Sequence, residues 1–259
     1  IFDIIIPIYN GYEYFCELFN SIEKTNCHYR LILINDCSPD KRVKEFISAY
    51  SSTHKDIIVI DNPENLGFVQ SVNKGLELSR NHVVLLNTDV VLPTEWLERL
   101  MLPILNNSQI ATTTPFTNSG TICSFPFFGK DNPIDNQFTV DAIDSYFKKL
   151  LPNYTIIPTG VGFCMGINKN ALKKVGLLDA KTFSKGYGEE NDWCQRAISF
   201  GYYNIHINNL FVYHKHGGSF LSSEKRALLE RNSKLLNQKH PNYPSDVAIF
   251  CSLDPMRET

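Results

Sequence analysis

Ile4-Ile5-Ile6-Pro7-Ile8-Tyr9-Asn10 places an apolar, largely β-branched run near the start of the chain and stops it at a polar pair. A run with no polar face is the pattern of a strand covered on both sides, as in a parallel sheet. Helical spacing follows in Tyr14, Phe15, Leu18, Phe19 and Ile22. A second run, Leu31-Ile32-Leu33-Ile34, leads into the loop Asn35-Asp36-Cys37-Ser38-Pro39-Asp40. There Ser38 or Asp40 can cap a helix carrying Val43, Phe46, Ile47 and Tyr50. Ile57 to Ile60 is a third strand, followed by a loop through Gly67 and a helix to about Ser79. Val83-Val84-Leu85-Leu86 is a fourth, ending in Asn87-Thr88-Asp89. A helix from about Thr94 to Asn106 and a strand near Ile110 to Thr114 complete the pattern. Such alternation predicts βαβ units with right-handed crossovers: an α/β, Rossmann-like domain with a mostly parallel central sheet flanked by helices.

Ligands of such sheets bind at the carboxyl ends of the strands. Tyr9, Asn10, the Asn35 to Asp40 loop, Pro63 to Gly67 and Asn87 to Asp89 therefore share one rim. Its polarity suits a nucleotide or a sugar better than an apolar ligand. After Thr114 the regularity breaks into a loop-rich stretch, Pro115 to Pro133, with an exposed-looking Phe125/Phe127/Phe128 cluster. Next come a helix around Val140 to Leu151, the Gly-rich apolar stretch Thr159 to Ile167 and a short helix near Lys169 to Val175. The loop Gly186-Tyr187-Gly188 then opens an acidic helix, and Ile205 to Tyr213 is strand-like. No linker separates the halves and no repeat is visible. The expected organisation is one domain over residues 1–221, with a nucleotide-binding half (1–115) and a second half (116–221), then a C-terminal helical extension (222–259).

The 259 residues, 43% hydrophobic and 20% charged with a net charge of −2, exclude a disordered chain. Fourteen glycines and thirteen prolines are too few for a fibrous one. No apolar run approaches the ~20 residues of a membrane span, and the near-neutral balance argues against coating nucleic acid. Seven scattered cysteines, without a Cys-x-x-Cys pair, fit neither a zinc ribbon nor a disulfide framework. Reduced, mostly buried thiols in a soluble cytoplasmic protein are expected. Ile1 starts the chain almost on a core strand with no signal-peptide features, which suggests a domain from a longer polypeptide.

Three constellations carry chemistry. Asp89, ending a strand, can reach a divalent cation whose other sites go to phosphate and water, although a strand-ending Asp is commonly a turn residue or a cap. Glu189-Glu190-Asn191-Asp192 places three carboxylates in a first helical turn, more than the helix dipole needs; crowding them raises a pKa as a general base requires. His214-x-His216-Gly217-Gly218-Ser219 can ligate metal or bind phosphate from a loop, the alternative being surface decoration. No Gly-x-Gly-x-x-Gly, Gly-Lys-Ser/Thr loop or Gly-x-Ser-x-Gly elbow is present, so a phosphate ligand calls for a metal.

In order, Pro7-x-Tyr9-Asn10, Asn35-Asp36-x-Ser38-x-Asp40, Asn65-x-Gly67, Asn73-x-Gly75 and Asn87-Thr88-Asp89 resemble the family-2 type inverting glycosyltransferases, whose fold is GT-A. Gly162 with Met165-Gly166, Gly188-Glu189-Glu190-x-Asp192 with Arg196-Ala197, and Val212-x-His214 with Gly218-Ser219 extend the resemblance to about Ser219. It implies that Asp36 accepts a hydrogen bond from the donor's pyrimidine, with Pro7 and Tyr9 lining that pocket and Asn65 and Asn73 on the donor rim. Asn87-Thr88-Asp89 stands where the family has Asp-x-Asp, so Asp89 becomes the ligand of Mn2+ or Mg2+, with His214 a further one. Glu190 takes the slot of the base, Asp192 is the second choice, and Glu189 and Trp193 contact the acceptor. Asp89, Glu189, Glu190 and Asp192 are expected to crowd one cleft.

The implied reaction is in-line transfer from a nucleotide-diphosphate sugar, UDP ahead of dTDP, to a hydroxyl of a glycan or glycoprotein. A non-catalytic carbohydrate-binding or scaffolding domain and a sugar-phosphate nucleotidyltransferase are the rival readings; the second lacks its basic Gly-rich loop. The Phe125, Phe127 and Phe128 loop can stack on acceptor sugars or pack in the core. Leu228, Leu229, Leu235 and Leu236, set among Lys225, Arg226, Arg231 and Lys234, make a basic helix. It could touch the inner face of a membrane or a neighbouring domain, though its few apolar positions favour packing on the catalytic domain.

Overall fold

The computed structural model describes residues 1–135, 137–215 and 223–257. β1 (Phe2–Ile8) turns into α1 (Phe15–Ile22), and the alternation continues through β2 (Tyr29–Asn35), α2 (Lys41–Thr53), β3 (Ile57–Asp61), α3 (Phe68–Leu78) and β4 (Val83–Leu86). β5 (Val90–Val91), α4 (Trp96–Asn106), β6 (Ile110–Thr117), α5 (Val140–Phe147), β7 (Tyr154–Ile157) and β8 (Cys164–Ile167) follow. The chain ends with α6 (Lys169–Val175), α7 (Ala180–Phe183), α8 (Glu189–Ser199), β9 (Tyr203–His214), α9 (Ser223–Lys239) and α10 (Tyr243–Leu253).

Period-two alternation puts Ile4, Ile6 and Ile8 of β1 with Leu31 and Leu33 of β2 in one core layer, against Phe15, Phe19 and Trp96. Ile5, Ile32 and Ile34 enter the opposite layer, with Val69, Val72 and Trp193. Burying each such side chain contributes roughly 1.5–3 kcal/mol, and both faces of the sheet are covered in this way. A third cluster gathers Phe116, Phe147, Phe211 and Phe250.

The sheet runs β3-β2-β1-β4-β8-β6-β9-β5, with β7 paired to β9. β1 to β4 are mutually parallel, as the sequence predicts. The second half differs: β8 is antiparallel to both β4 and β6, and β9 is antiparallel to β5 and β7. β6 nevertheless pairs parallel with β9, so the antiparallel ladders are those made by β8, β5 and β7. β8 (Cys164–Ile167) is reached only after the long excursion through α5 and β7, and it enters between β4 and β6 in the reverse direction. β6 also runs on past Thr114 through Pro115 to Thr117, further than expected, and its register against β9 shifts between Thr114 and Phe116. Twelve-residue β9 serves three ladders, with β6, β7 and β5, ending with His214 opposite Val90 of β5.

α9 lies against α7 and α8: Lys239 Nζ pairs with Asp179 and Asp192 at 2.7 Å each. That agrees with packing, the alternative to membrane contact. No described helix is long and apolar enough to cross a membrane. Of the cysteines, Cys123, Cys164 and Cys194 are buried while Cys16, Cys37 and Cys251 are exposed, so burial is less general than expected. Phe125 and Phe127 are exposed, but Phe125 also meets Phe147 edge-on, and Phe128 tilts against Phe250. The loop therefore combines packing with a displayed ring.

Candidate functional site

The ends of β1 and β2 build the first cavity, about 530 Å³, lined by Pro7, Tyr9, Asp36, Asn65 and Phe68 among others. Asp36 is nearly buried at its floor, and its N–H donates to Ile8 O at 2.8 Å. Asn62 Nδ2 and Leu66 N donate to its Oδ1, and Gly67 N to its Oδ2, each at 2.8 Å. A carboxylate has about four lone-pair directions, so three are committed to orientation and one is left for a ligand. Asn65 Oδ1 takes the Gly67 N–H in an Asx turn. Asp40 caps α2 through Arg42 N, whereas Ser38 Oγ receives Asn10 N and ties the first loop to the second. Tyr9, half exposed, forms the open side.

Gly67 holds this corner at φ +86°, where a Cβ would stand 3.3 Å from Lys185 Cα and Ser184 O. Gly67→Ala is therefore expected to cost about 1–3 kcal/mol, read as a lower urea midpoint at unchanged slope. An unchanged midpoint would show that the turn re-forms around alanine.

The second cavity, about 400 Å³, gathers Asn87, Asp89, Glu189, Glu190 and His214. Phe68 and Lys185 line it too, so it abuts the first cavity along that wall. Asp89 and His214, distant in sequence, meet because the β5–β9 ladder sets Val90 opposite His214. Lys215 N donates to Asp89 O at 2.7 Å, and Asp89 Oδ1 lies 3.3 Å from His214 Nε2. His214 Nδ1 lies 2.8 Å from Ser119 O and is its natural donor, which directs Nε2 towards Asp89. Burial works against a charged imidazole there, but Asp89 and Ser119 O carry its pKa above the usual value.

A carboxylate oxygen and an imidazole nitrogen side by side suit Mn2+ or Mg2+. Such ions bind few protein ligands and complete their shell with phosphate oxygens and water. Among the described residues no group of three or more His, Cys, Asp or Glu is placed to hold a metal, so the fit is to an open, two-donor site. Asn87 adds at most a neutral amide oxygen.

Gly188, at φ +110°, starts α8 with its Cα facing Phe183, and the first turn carries Glu189 and Glu190. Burial pushes both carboxyls above their ordinary range, and the neighbouring Glu190 raises Glu189 further. Backbone N–H groups at the helix start pull the other way and lose to burial. Ionisation of Glu189 is thus disfavoured by burial first and then by the neighbouring Glu190. One oxygen of each remains buried without a protein partner.

Other expected residues stand elsewhere. Asp192 is fully buried behind the cleft, held by Arg196 at 2.8 Å, Lys239 at 2.7 Å and His240 at 2.8 Å. Burial would raise its pKa, but these bonds bring it below the usual carboxylate range. It does not join the acidic crowd because i,i+4 spacing turns it to Arg196 rather than to the cavity. Trp193 is buried too, donating from Nε1 to Gly176 O at 2.7 Å, which points it into the core instead of at an acceptor. Asn73 exchanges hydrogen bonds with the backbone of Leu178 at 2.9 and 3.0 Å, clasping α3 to the loop before α7 rather than lining the rim. His216, Gly217, Gly218 and Ser219 lie outside the described residues. Sequence reading missed Asn62, Phe68, Ser71 and Lys185; only Gly186 and Gly188, just after Lys185, hinted at a shaped loop there.

The sequence model of glycosyl transferase family 2 matches residues 3–176, and the chain belongs to that family. Over 133 residues it is 29% identical to a dolichol-phosphate mannosyltransferase of Pyrococcus furiosus, a match covering 49% of this chain and 36% of that one. Over 109 residues it is 30% identical to an uncharacterized glycosyltransferase of Haemophilus influenzae, covering 41% and 33%. The chain thus matches about a third of the length of these curated relatives. Among solved structures it resembles GalNAc-T7 with UDP, GalNAc and Mn2+ (TM-score 0.67, 16% identity, 99% of this chain and 53% of that one). It also resembles the mannosyltransferase PcManGT of Pyrobaculum calidifontis with GDP-Man and Mn2+ (TM-score 0.68, 13% identity, 99% and 71%). The fold is therefore of the GT-A type.

Proposed function

We propose that this glycosyltransferase is a metal-dependent, inverting enzyme. It moves a sugar from a nucleotide-diphosphate sugar, UDP ahead of dTDP, to a hydroxyl of a glycan or glycoprotein. The observation that carries this reading is the meeting of Asp89, His214 and Glu190 on one cavity, beside a base-sized pocket floored by Asp36. The remaining lone pair of Asp36 suits the imide N–H of a pyrimidine, with Tyr9 and Pro7 against the ring. Asp89 and His214 would hold Mn2+ or Mg2+, which when bound supplies charge neutralisation for the departing diphosphate.

Glu190 accepts the proton of the acceptor hydroxyl while that oxygen bonds to the anomeric carbon and the bond to the diphosphate breaks, in one displacement with inversion. Glu189, whose ionisation is disfavoured by burial and by Glu190, stands beside the base on the same helical turn. Asp192 serves the helix rather than the chemistry, which separates it from Glu190 as the base.

Nucleotide sugars with UDP, dTDP and GDP heads, each offered with and without manganese, test the reading. Manganese-dependent release of UDP from one UDP-sugar, with inverted sugar configuration by NMR, is expected. Binding without turnover of any donor would instead make the chain a carbohydrate-binding scaffold. Pyrophosphate release from a nucleoside triphosphate would make it a nucleotidyltransferase.

A further inference from the structure

The two cavities meet at Phe68 and Lys185, and Lys185 is the one Lys or Arg among the described residues lining either. Its ammonium makes no hydrogen bond or ion pair among the described residues, although three carboxylates line the second cavity with it. Other lysines of this region are committed: Lys74 to Asn62 Oδ1 at 2.6 Å, and Lys239 to Asp179 and Asp192. Lys185 is exposed, but its backbone is not free to wander. Its Cα abuts Gly67, the next residue's N–H donates to Phe183 O at 2.7 Å, and Asn232 Nδ2 donates to Gly186 O at 2.7 Å from a buried position on α9. A long, uncompensated cation is thus mounted on a fixed base at the junction of the pockets.

We propose that Lys185 is a specificity-determining residue that binds the diphosphate of the donor and, after transfer, of the leaving nucleotide. The inference rests on the nucleotide-sugar reading above. A ligand with its base against Asp36 and its sugar near Glu190 must pass the Phe68–Lys185 wall with the two phosphates in between. An ammonium–phosphate contact formed there is charge-assisted and grows in value as negative charge develops on the leaving group. Discrimination between nucleoside diphosphate and nucleoside then comes from this side chain, together with any cation that Asp89 would hold, whereas base selection stays with Asp36.

Calorimetric titration of uridine, UMP and UDP into the wild-type chain, Lys185→Met and Lys185→Arg tests this in chelator and again with manganese. In Lys185→Met, UDP affinity is expected to fall about tenfold or more, UMP less, and uridine not at all, with Lys185→Arg restoring most of the loss. Thermal melting should be unchanged, because the ammonium holds no partner among the described residues. An equal fall for uridine and UDP would mean a loop distortion and overturn the proposal. So would a Lys185→Met variant that binds UDP as the wild type does, leaving the wider reading intact. A wild-type chain that binds none of the three overturns both.

Discussion

Glu190→Gln is expected to lower transfer about 10²–10⁴-fold while leaving UDP binding unchanged. The amide keeps the shape of the side chain and loses only its capacity to take a proton. Steady-state rates beside a UDP titration check this, and near-normal turnover would remove Glu190 from the role of base. The pH profile sharpens it. Glu190 must be ionised to act, and burial raises its pKa above the ordinary 4.5, so the acidic limb of the rate should lie above that value. Stability runs the other way. A carboxyl whose folded pKa exceeds its unfolded one binds more protons when folded, so the Glu189–Glu190 pair loses stability as pH rises from about 4.5 through the raised values. Glu190→Gln removes part of that cost, and at neutral pH its melting temperature should equal or exceed that of the wild type. An inactive variant that melts lower would mean damage to α8 instead of a lost base.

Asp89→Ala is expected to abolish the manganese-dependent part of UDP binding, so that titrations with and without the ion coincide. The accompanying fall in transfer should be about 10³-fold, the scale of several kcal/mol of charge stabilisation. His214 alone offers one neutral nitrogen, too little to retain a hard cation in water. A variant whose titrations still separate with manganese would place the ion elsewhere in the cleft.

The first half of the fold was legible because β1, β2 and β4 are apolar on both faces and end in polar loops, and no other arrangement buries such runs. Asp36 and Asp89 could be read from the same logic, each standing at a strand's carboxyl end. The antiparallel ladders of the second half were not legible, since Cys164–Ile167 is only four residues long and nothing local says which neighbour it will choose. Site residues divide along a similar line. Glu189 and Glu190 follow from the helix start, but consecutive position does not mean a shared face: Asp192 and Trp193 turn away by helical geometry once Gly188 fixes the phase of α8. Asn73 looked like a rim residue by order alone, and its bonds to Leu178 depend on a loop far off in sequence. Lys185 had no periodicity to betray it; only the tertiary seating of Ser184 and Lys185 on Gly67 gives that lysine a fixed place.

The bond from Asn232 to Gly186 O has a consequence for inheritance. The loop that feeds the proposed base is closed by a side chain from α9, beyond the stretch 3–176 by which the family is recognised. Leu236 adds a buried apolar contact beside Gly188. The C-terminal helix and the acidic turn are then one heritable unit: a recombinant that takes its nucleotide half from one relative and its tail from another would keep every motif and still misplace the carboxylate.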